Sequence, residues 1–344
     1  EYTQPYEDDE DIIRIPARTV VFDNEDRLMS LGEVKSLAKK LATEKIDLIH
    51  IQTPFVAHYA GKYLSQALNI PCIETYHTFF EEYFYNYIPF LPRAILRSLA
   101  RTFSKKQCNA VEHLIVPSSA MKNVLQGYGI GTDMTILPTG INPSALDSGD
   151  GHLFKQRYEI DPERPILMHV GRIAHEKNIQ FLLKMLTFVW QEIPEVLLVI
   201  AGEGPAVKKL QKLAAKLGLQ DNVLFVGYQK RDTELNHCYR AGDIFVFSSR
   251  TETQGLVLLE AMALGVPVIS TAVMGTIDIL QTEQGAMIAD EDEQRFARKV
   301  IRLLNNDLQR KRMAEQAKSF AREWSAEQQA RQMSALYQRI CQTY

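Results

Sequence analysis

The chain has 344 residues, of which 46% are apolar, and its 39 Lys and Arg against 42 Asp and Glu leave a formal net charge of −3. That length exceeds what one hydrophobic core serves, so two domains are expected, and the balanced charge offers no overall attraction to nucleic acid or an acidic polymer. Cysteines 72, 108, 238 and 341 form no CxxC pair or metal-type spacing, no run approaches a membrane span and no signal peptide opens the chain, so the expectation is a cytoplasmic protein, soluble or peripheral.

The acidic run 7–11 leads into 12–16 without an earlier strand or helix, a beginning that reads as the middle of a domain. The pattern then predicts a helix over 31–42, strands over 48–52 and 72–75, a basic helix over 92–106, and strands over 114–116 and 135–137. Pro138-Thr139-Gly140-Ile141-Asn142-Pro143 has turn composition and places a linker near 141–150. From 161 onward short apolar runs alternate with amphipathic stretches: strands over 166–170, 196–201, 223–226, 244–247 and 267–270, and helices over 178–193, 207–217, 233–240 and 256–264. That alternation is the signature of βα units around a parallel sheet. The expected units are a first lobe over 1–145, a second over 146–324 and a helix over 325–344 returning to the first lobe. The charged helical tail of 295–340 is expected to break at Trp324-Ser325.

Four segments of the second lobe fit one ligand. Gly171-Arg172-Ile173-Ala174-His175-Glu176-Lys177-Asn178 follows a strand and offers two cations before a helix, where open α/β sheets bind ligands and a diphosphate would fit. Gly202-Glu203-Gly204-Pro205 is a second strand-end turn, equally consistent with a tight turn that binds nothing. The loop 248–256 feeds a helix N-terminus, whose free amides attract anions. Glu260 lies eight residues after Glu252, inside an apolar run where an unpartnered carboxylate is costly to bury. The plainer alternatives are a solvated helix-end charge for the glutamates, and a surface ion network of Arg172 and Lys177 with Glu176 and Glu203.

Residues 138–270, with Gly171-Arg172, Glu176-Lys177 and Glu252/Glu260 in E-x7-E spacing, resemble a retaining GT-B glycosyltransferase of glycosyltransferase family 4. The resemblance implies two Rossmann-like lobes with parallel sheets facing a central cleft. It implies that Arg172 and Lys177 hold a nucleotide diphosphate, that Glu252 touches the donor sugar and Glu260 the ribose, and that amides near Gln254, Gly255 and Leu256 complete the cradle, with Gly171, Gly202 and Thr253 beside them. It implies neither a metal nor a cofactor, the nucleotide sugar being a substrate. Tyr76-His77-Thr78-Phe79-Phe80-Glu81-Glu82-Tyr83 and Thr251-Glu252-Thr253-Gln254-Gly255-Leu256 are similar to segments of bacterial diacylglycerol glucosyltransferases, in which the histidine lies next to the donor sugar. His77, with Glu252, is thereby the catalytic candidate. The expected reaction moves a hexose from UDP-glucose, with retention, to a membrane lipid such as diacylglycerol.

Arg93, Arg97, Arg101 and Lys105 recur every fourth residue, with Ile95, Leu96, Leu99 and Phe103 as an apolar stripe and an aromatic-rich 79–91 before them. This fits a helix lying on an anionic membrane surface or, equally, a core-packed helix with a solvated basic face. Asp9-Glu10-Asp11 and Asp290-Glu291-Asp292 match a DxD metal pattern in form, but both sit in acidic runs rather than at strand ends. About one βαβ unit expected of such a first lobe has no counterpart before Glu1. Rival readings are a lipopolysaccharide or soluble acceptor, a nucleotide-sugar epimerase, and an inactive nucleotide-sugar-binding module.

Overall fold

The computed structural model describes residues 12–20, 23–77, 79–81, 92–146, 148–231, 233–280 and 284–344. Two parallel sheets form two α/β lobes, as the βα alternation requires. In the first lobe β3 (Ile49–Ile51), β4 (Cys72–Thr75), β5 (His113–Val116) and β6 (Met134–Ile136) lie side by side in chain order. An antiparallel hairpin, β1 (Ala17–Val20) and β2 (Asp23–Met29), precedes them and was not foreseen, because its residues are largely polar and lack a clean alternation.

The second sheet contains β7 (Ile166–Val170), β8 (Leu197–Ala201), β9 (Val223–Gly227), β10 (Ile244–Phe247), β11 (Val268–Ser270) and β12 (Ala286–Ile288) in the order β12-β11-β10-β7-β8-β9. Both of its faces are covered, so its central strands are apolar except for the buried His169 of β7. Ile166, Met168, Leu197 and Val199 join one core with Tyr239, Leu258, Met262 and Phe320, while Leu167, Leu198 and Ile200 join the other with Leu182, Met185, Leu186 and Phe296. Strand order reverses between β7 and β10, and the crevice outside the carboxyl ends at such a reversal is where open α/β sheets bind ligands.

The tail folds as three helices, Glu293–Leu304, Asp307–Arg322 and Ala326–Thr343. The break at Ser325 is the expected one. A second break arises because Asn306 caps the next helix, its side chain accepting from the Gln309 amide at 2.9 Å. The last helix packs Leu336 and Ile340 on Ile73, Ile115 and Leu137 of the first lobe. Where the chain crosses between lobes, Ile141 N–H donates to Trp324 O at 2.9 Å and Ala326 N–H to Ile141 O at 2.6 Å.

The basic helix, Arg93–Cys108, differs from expectation. Its buried face carries Leu96, Ala100, Ser104 and Gln107, whereas Ile95 is 48% and Leu99 50% exposed. Residues 95 and 99 sit one helical step, about 100°, away from 96 and 100, so the four apolar residues divide between two faces. Nor is the basic side without acidic partners: Arg97 and Arg101 both reach Glu81, at 3.2 and 2.9 Å, and the Arg101 guanidinium lies 5.2 Å from the Tyr128 ring centre. Lys105 is exposed. The Arg93 side chain, Thr78, residues 82–91 and Asp9-Glu10-Asp11 lie outside the described residues.

Candidate active site

Three loops meet at the strand reversal. After β7, Gly171 and Arg172 lead to Lys177 and to Asn178, whose left-handed φ of 54° turns the chain into the helix Ile179–Glu192. After β8, Gly202 packs so closely under that loop that a Cβ there would stand 2.0 Å from Gly171 O, and one at Gly204 2.3 Å from Ile173 O. The glycine pair is therefore required by the contact between loops, whatever it binds. After β10 the loop runs through Glu252 to Gly255, whose φ of 91° opens the helix Leu256–Ala263 and which has no side chain to cap that helix's first amides.

Gly171, Arg172, Gly202 and Glu260 line a cleft of about 600 Å³, together with Tyr228, Arg231 and Val257. Arg172 is exposed and makes no side-chain ion pair or hydrogen bond among the described residues. Lys177 instead meets Glu252: its Nζ bonds Glu252 Oε1, and the two side chains are only 20% and 17% exposed. The surface network with Glu176 and Glu203 is thus replaced for Lys177 by an ion pair between two loops. Glu260 is not unpartnered either. The buried Tyr239 hydroxyl donates to its Oε2 at 2.7 Å and Arg231 stands 4.0 Å from its Oε1, which leaves that oxygen without a close donor among the described residues. Burial above all, with the Glu260 charge, holds the Tyr239 hydroxyl well above its usual pKa.

Several residues act as braces that their sequence context did not indicate. Arg250 Nε donates to Glu291 at 2.8 Å, and Glu291 also accepts from Asn178 Nδ2 at 3.0 Å, tying two of the loops together. Asp292 caps the helix Glu293–Leu304 through the Arg295 amide at 2.7 Å, and Asp290 lies 3.3 Å from Arg295, so each member of the 290–292 triad has a structural partner. His169, fully buried against Phe245 and Phe247, is pushed down to about 4 by burial; the Val246 carbonyl at 3.2 Å partly opposes this and Lys177 adds to it.

The first lobe reaches this loop system directly. Ser118, just past β5, donates its hydroxyl to Thr253 O at 2.7 Å, the Ser119 amide donates to Asp278 at 2.6 Å, and Gln254 pairs doubly with the Thr139 backbone at 2.8 and 2.7 Å. The Gln254 side chain is thus engaged between lobes. Because the carboxyl end of β5 touches the loop after β10, the carboxyl end of the neighbouring β4 lies on the same rim, and His77 follows β4. His77 Nε2 donates to Gln52 Oε1 at 2.9 Å, and no hydrogen bond joins it to the second lobe among the described residues. Desolvation lowers its pKa, although part of its ring is open to solvent.

Two family profiles tile this architecture: glycosyltransferase family 4 matches residues 1–145 and glycosyl transferases group 1 matches residues 152–320. The chain belongs to glycosyltransferase family 4. The α-monoglucosyldiacylglycerol synthase of Streptococcus pneumoniae is 32% identical to it over 271 residues, covering 76% of this chain and 60% of the relative. Sulfoquinovosyl transferase SQD2 of Arabidopsis thaliana is 28% identical, over 74% of this chain and 48% of its own length. An α-monoglucosyldiacylglycerol synthase of Acholeplasma laidlawii is 27% identical, over 77% and 68%. The matched part of this family 4 chain thus spans between 48% and 68% of these relatives. Its GT-B fold superposes on Anabaena HepE in complex with UDP with a TM-score of 0.74 at 17% identity, covering 89% of this chain and 81% of that one. Sucrose-phosphate synthase of Thermosynechococcus elongatus superposes with a TM-score of 0.74 at 22% identity, covering 91% and 78%.

Proposed function

We propose that the protein transfers a hexose from a nucleotide sugar, UDP-glucose, to the hydroxyl of a membrane lipid such as diacylglycerol, with retention at the anomeric carbon. The observation that carries the donor half is the cleft at the strand reversal, where Arg172, the Gly171 and Gly202 turns and Glu260 converge. Arg172 and Lys177 hold the diphosphate. An ammonium has three donors, so Lys177 can keep Glu252 and still reach a phosphate oxygen. Glu260 takes the ribose with its outward oxygen, and Glu252, fixed by Lys177, takes the sugar. Amides at Gln254, Gly255 and Leu256 face the phosphate and sugar at the start of a helix, with Thr253 beside them. Guanidinium, ammonium and helix N-terminus neutralise the departing diphosphate without a metal, and its oxygen accepts the acceptor's proton. His77 stands on the opposite rim as the catalytic candidate of the first lobe.

The acceptor half is supported by the two diacylglycerol glucoside synthases among the relatives and by the exposed Ile95 and Leu99 beside Arg97, Arg101 and Lys105 on one helix. Two apolar side chains amid cations suit an anionic bilayer surface, where each cation not already paired with a protein carboxylate contributes about 1 kcal/mol. Among the described residues no helix is long and apolar enough to cross a membrane, and peripheral attachment at the cytoplasmic face is part of the proposal. Incubation with radiolabelled UDP-glucose or GDP-mannose and either diacylglycerol or soluble acceptors, followed by phase separation, tests both halves. Label entering the organic phase only from UDP-glucose with diacylglycerol is expected. Label that stays aqueous under every combination rejects the lipid acceptor.

A further inference from the structure

At the carboxyl ends of β3 and β4 a polar network runs from Tyr337 and His50 through Gln52 to His77. His50, in β3, bonds Thr75 Oγ1 through Nε2 at 2.7 Å and the Tyr337 hydroxyl through Nδ1 at 2.6 Å, its ring meeting the Tyr337 ring edge-on at 5.6 Å. Gln52 follows two residues later and so emerges on the same side of the strand. Its Nε2 lies 3.2 Å from both ring nitrogens of His50, and its Oε1 accepts from His77 Nε2 at 2.9 Å. A glutamine amide has distinct ends: with nitrogen toward His50 and oxygen toward His77, it obliges His77 to carry its proton on Nε2 and leaves Nδ1 as a lone-pair acceptor. Burial, with the nearby His77 second, pushes His50 down to about 4, so His50 is neutral at neutral pH and does not repel His77.

We propose that Gln52 is the positioning residue of His77, fixing its tautomer and ring orientation, with His50, Thr75 and Tyr337 fixing Gln52 in turn. The C-terminal helix Ala326–Thr343, which supplies Tyr337, thereby becomes part of the site's support. The functional half of this inference rests on the reading of His77 as catalytic. The tautomer half does not.

The test is 15N-histidine NMR of the full chain, whose eight histidines include His77, assigned by its loss in His77→Ala. It runs beside kcat for UDP release from UDP-glucose with diacylglycerol, and UDP affinity by calorimetry. Wild type is expected to show His77 as the Nε2–H tautomer. Gln52→Leu is expected to mix the tautomers and to lower kcat about tenfold or more with UDP affinity unchanged, as loss of orientation does. Gln52→Glu, which keeps an acceptor oxygen, is expected to restore the Nε2–H tautomer and part of kcat. An unchanged His77 tautomer in Gln52→Leu overturns the proposal. So does a shifted tautomer at wild-type kcat, provided His77→Ala is impaired. Wild-type kcat in His77→Ala instead removes the catalytic reading of His77, and with it the functional half, while the tautomer result is judged separately.

Discussion

Lys177 and Glu252 form an ion pair that joins the loop after β7 to the loop after β10, across the point where the strand order of the second sheet reverses. Both side chains are mostly shielded from water, so removing either leaves the other exposed to a desolvation cost. Arg172→Ala and Lys177→Ala are each expected to weaken UDP binding by roughly 1.5–3 kcal/mol, about ten- to hundredfold, because each deletes a charge-assisted hydrogen bond to diphosphate. Uridine binding should change less. For Lys177 and Glu252 the double variant should cost less than the sum of the singles. Calorimetry with UDP and uridine measures all three, and wild-type UDP affinity in both single variants rejects the diphosphate assignment.

The two glutamates should separate in kinetics. Glu260→Gln keeps the shape but weakens acceptance from the Tyr239 hydroxyl and from ribose, so UDP affinity should fall more than kcat. Glu252→Gln should lower kcat more than UDP affinity. Wild-type kinetics in both would make the pair structural.

Stability should fall as the solution is acidified, with His169 as a principal cause. Its folded-state value of about 4 lies below the unfolded value of 6.5, so the unfolded chain binds the extra proton between these limits. The stabilisation is complete above pH 6.5 and is lost as pH falls toward 4, on the order of 2 kcal/mol between pH 7 and 5. Urea melts of His169→Phe, which keeps a ring against Phe245 and Phe247, should show a flatter pH dependence than wild type. An unchanged slope assigns the acid sensitivity elsewhere.

Attachment to membranes should depend on the outward face of the helix Arg93–Cys108. Ile95→Ser with Leu99→Ser is expected to reduce cosedimentation with anionic liposomes. Changing Arg93, Arg97, Arg101 and Lys105 together to Gln should abolish it, and added salt should release the wild-type protein. Nucleotide binding should be intact in both. Because Arg97 and Arg101 share Glu81, Glu81→Gln should strengthen cosedimentation by freeing two cations. Unchanged cosedimentation in all three returns this helix to a packing role.

The second lobe was readable because its strands are buried on both faces and punctuated by glycines: residues 244–247 and 233–240 were predicted to the residue. The first lobe was read less completely. The helices Val56–Leu68 and Ser119–Gly127 were missed, the former containing polar His58 and Ser65 on its buried side, which breaks the apolar stripe that marks a helix. Arg172, Lys177, Glu252 and Glu260 could be named as candidates because each pair lies within a short segment that carries the family resemblance. The partnerships of Glu291, Tyr239, Gln52 and Tyr337 could not be named, since each residue meets its partner over a separation set only by the tertiary fold, up to 287 residues for His50 and Tyr337.

The pairing of Leu336 and Ile340 with Ile73, Ile115 and Leu137 bears on synthesis. Among the described residues, Ile73, Ile115 and Leu137 of the first lobe meet Leu336 and Ile340 only after the whole second lobe has been translated and the helix Ala326–Thr343 has crossed back beside Ile141. During that interval, apolar strand surface of the first lobe is open to chaperones and to other nascent chains. A chain that stalls within the second lobe therefore lacks the helix that seals these three side chains.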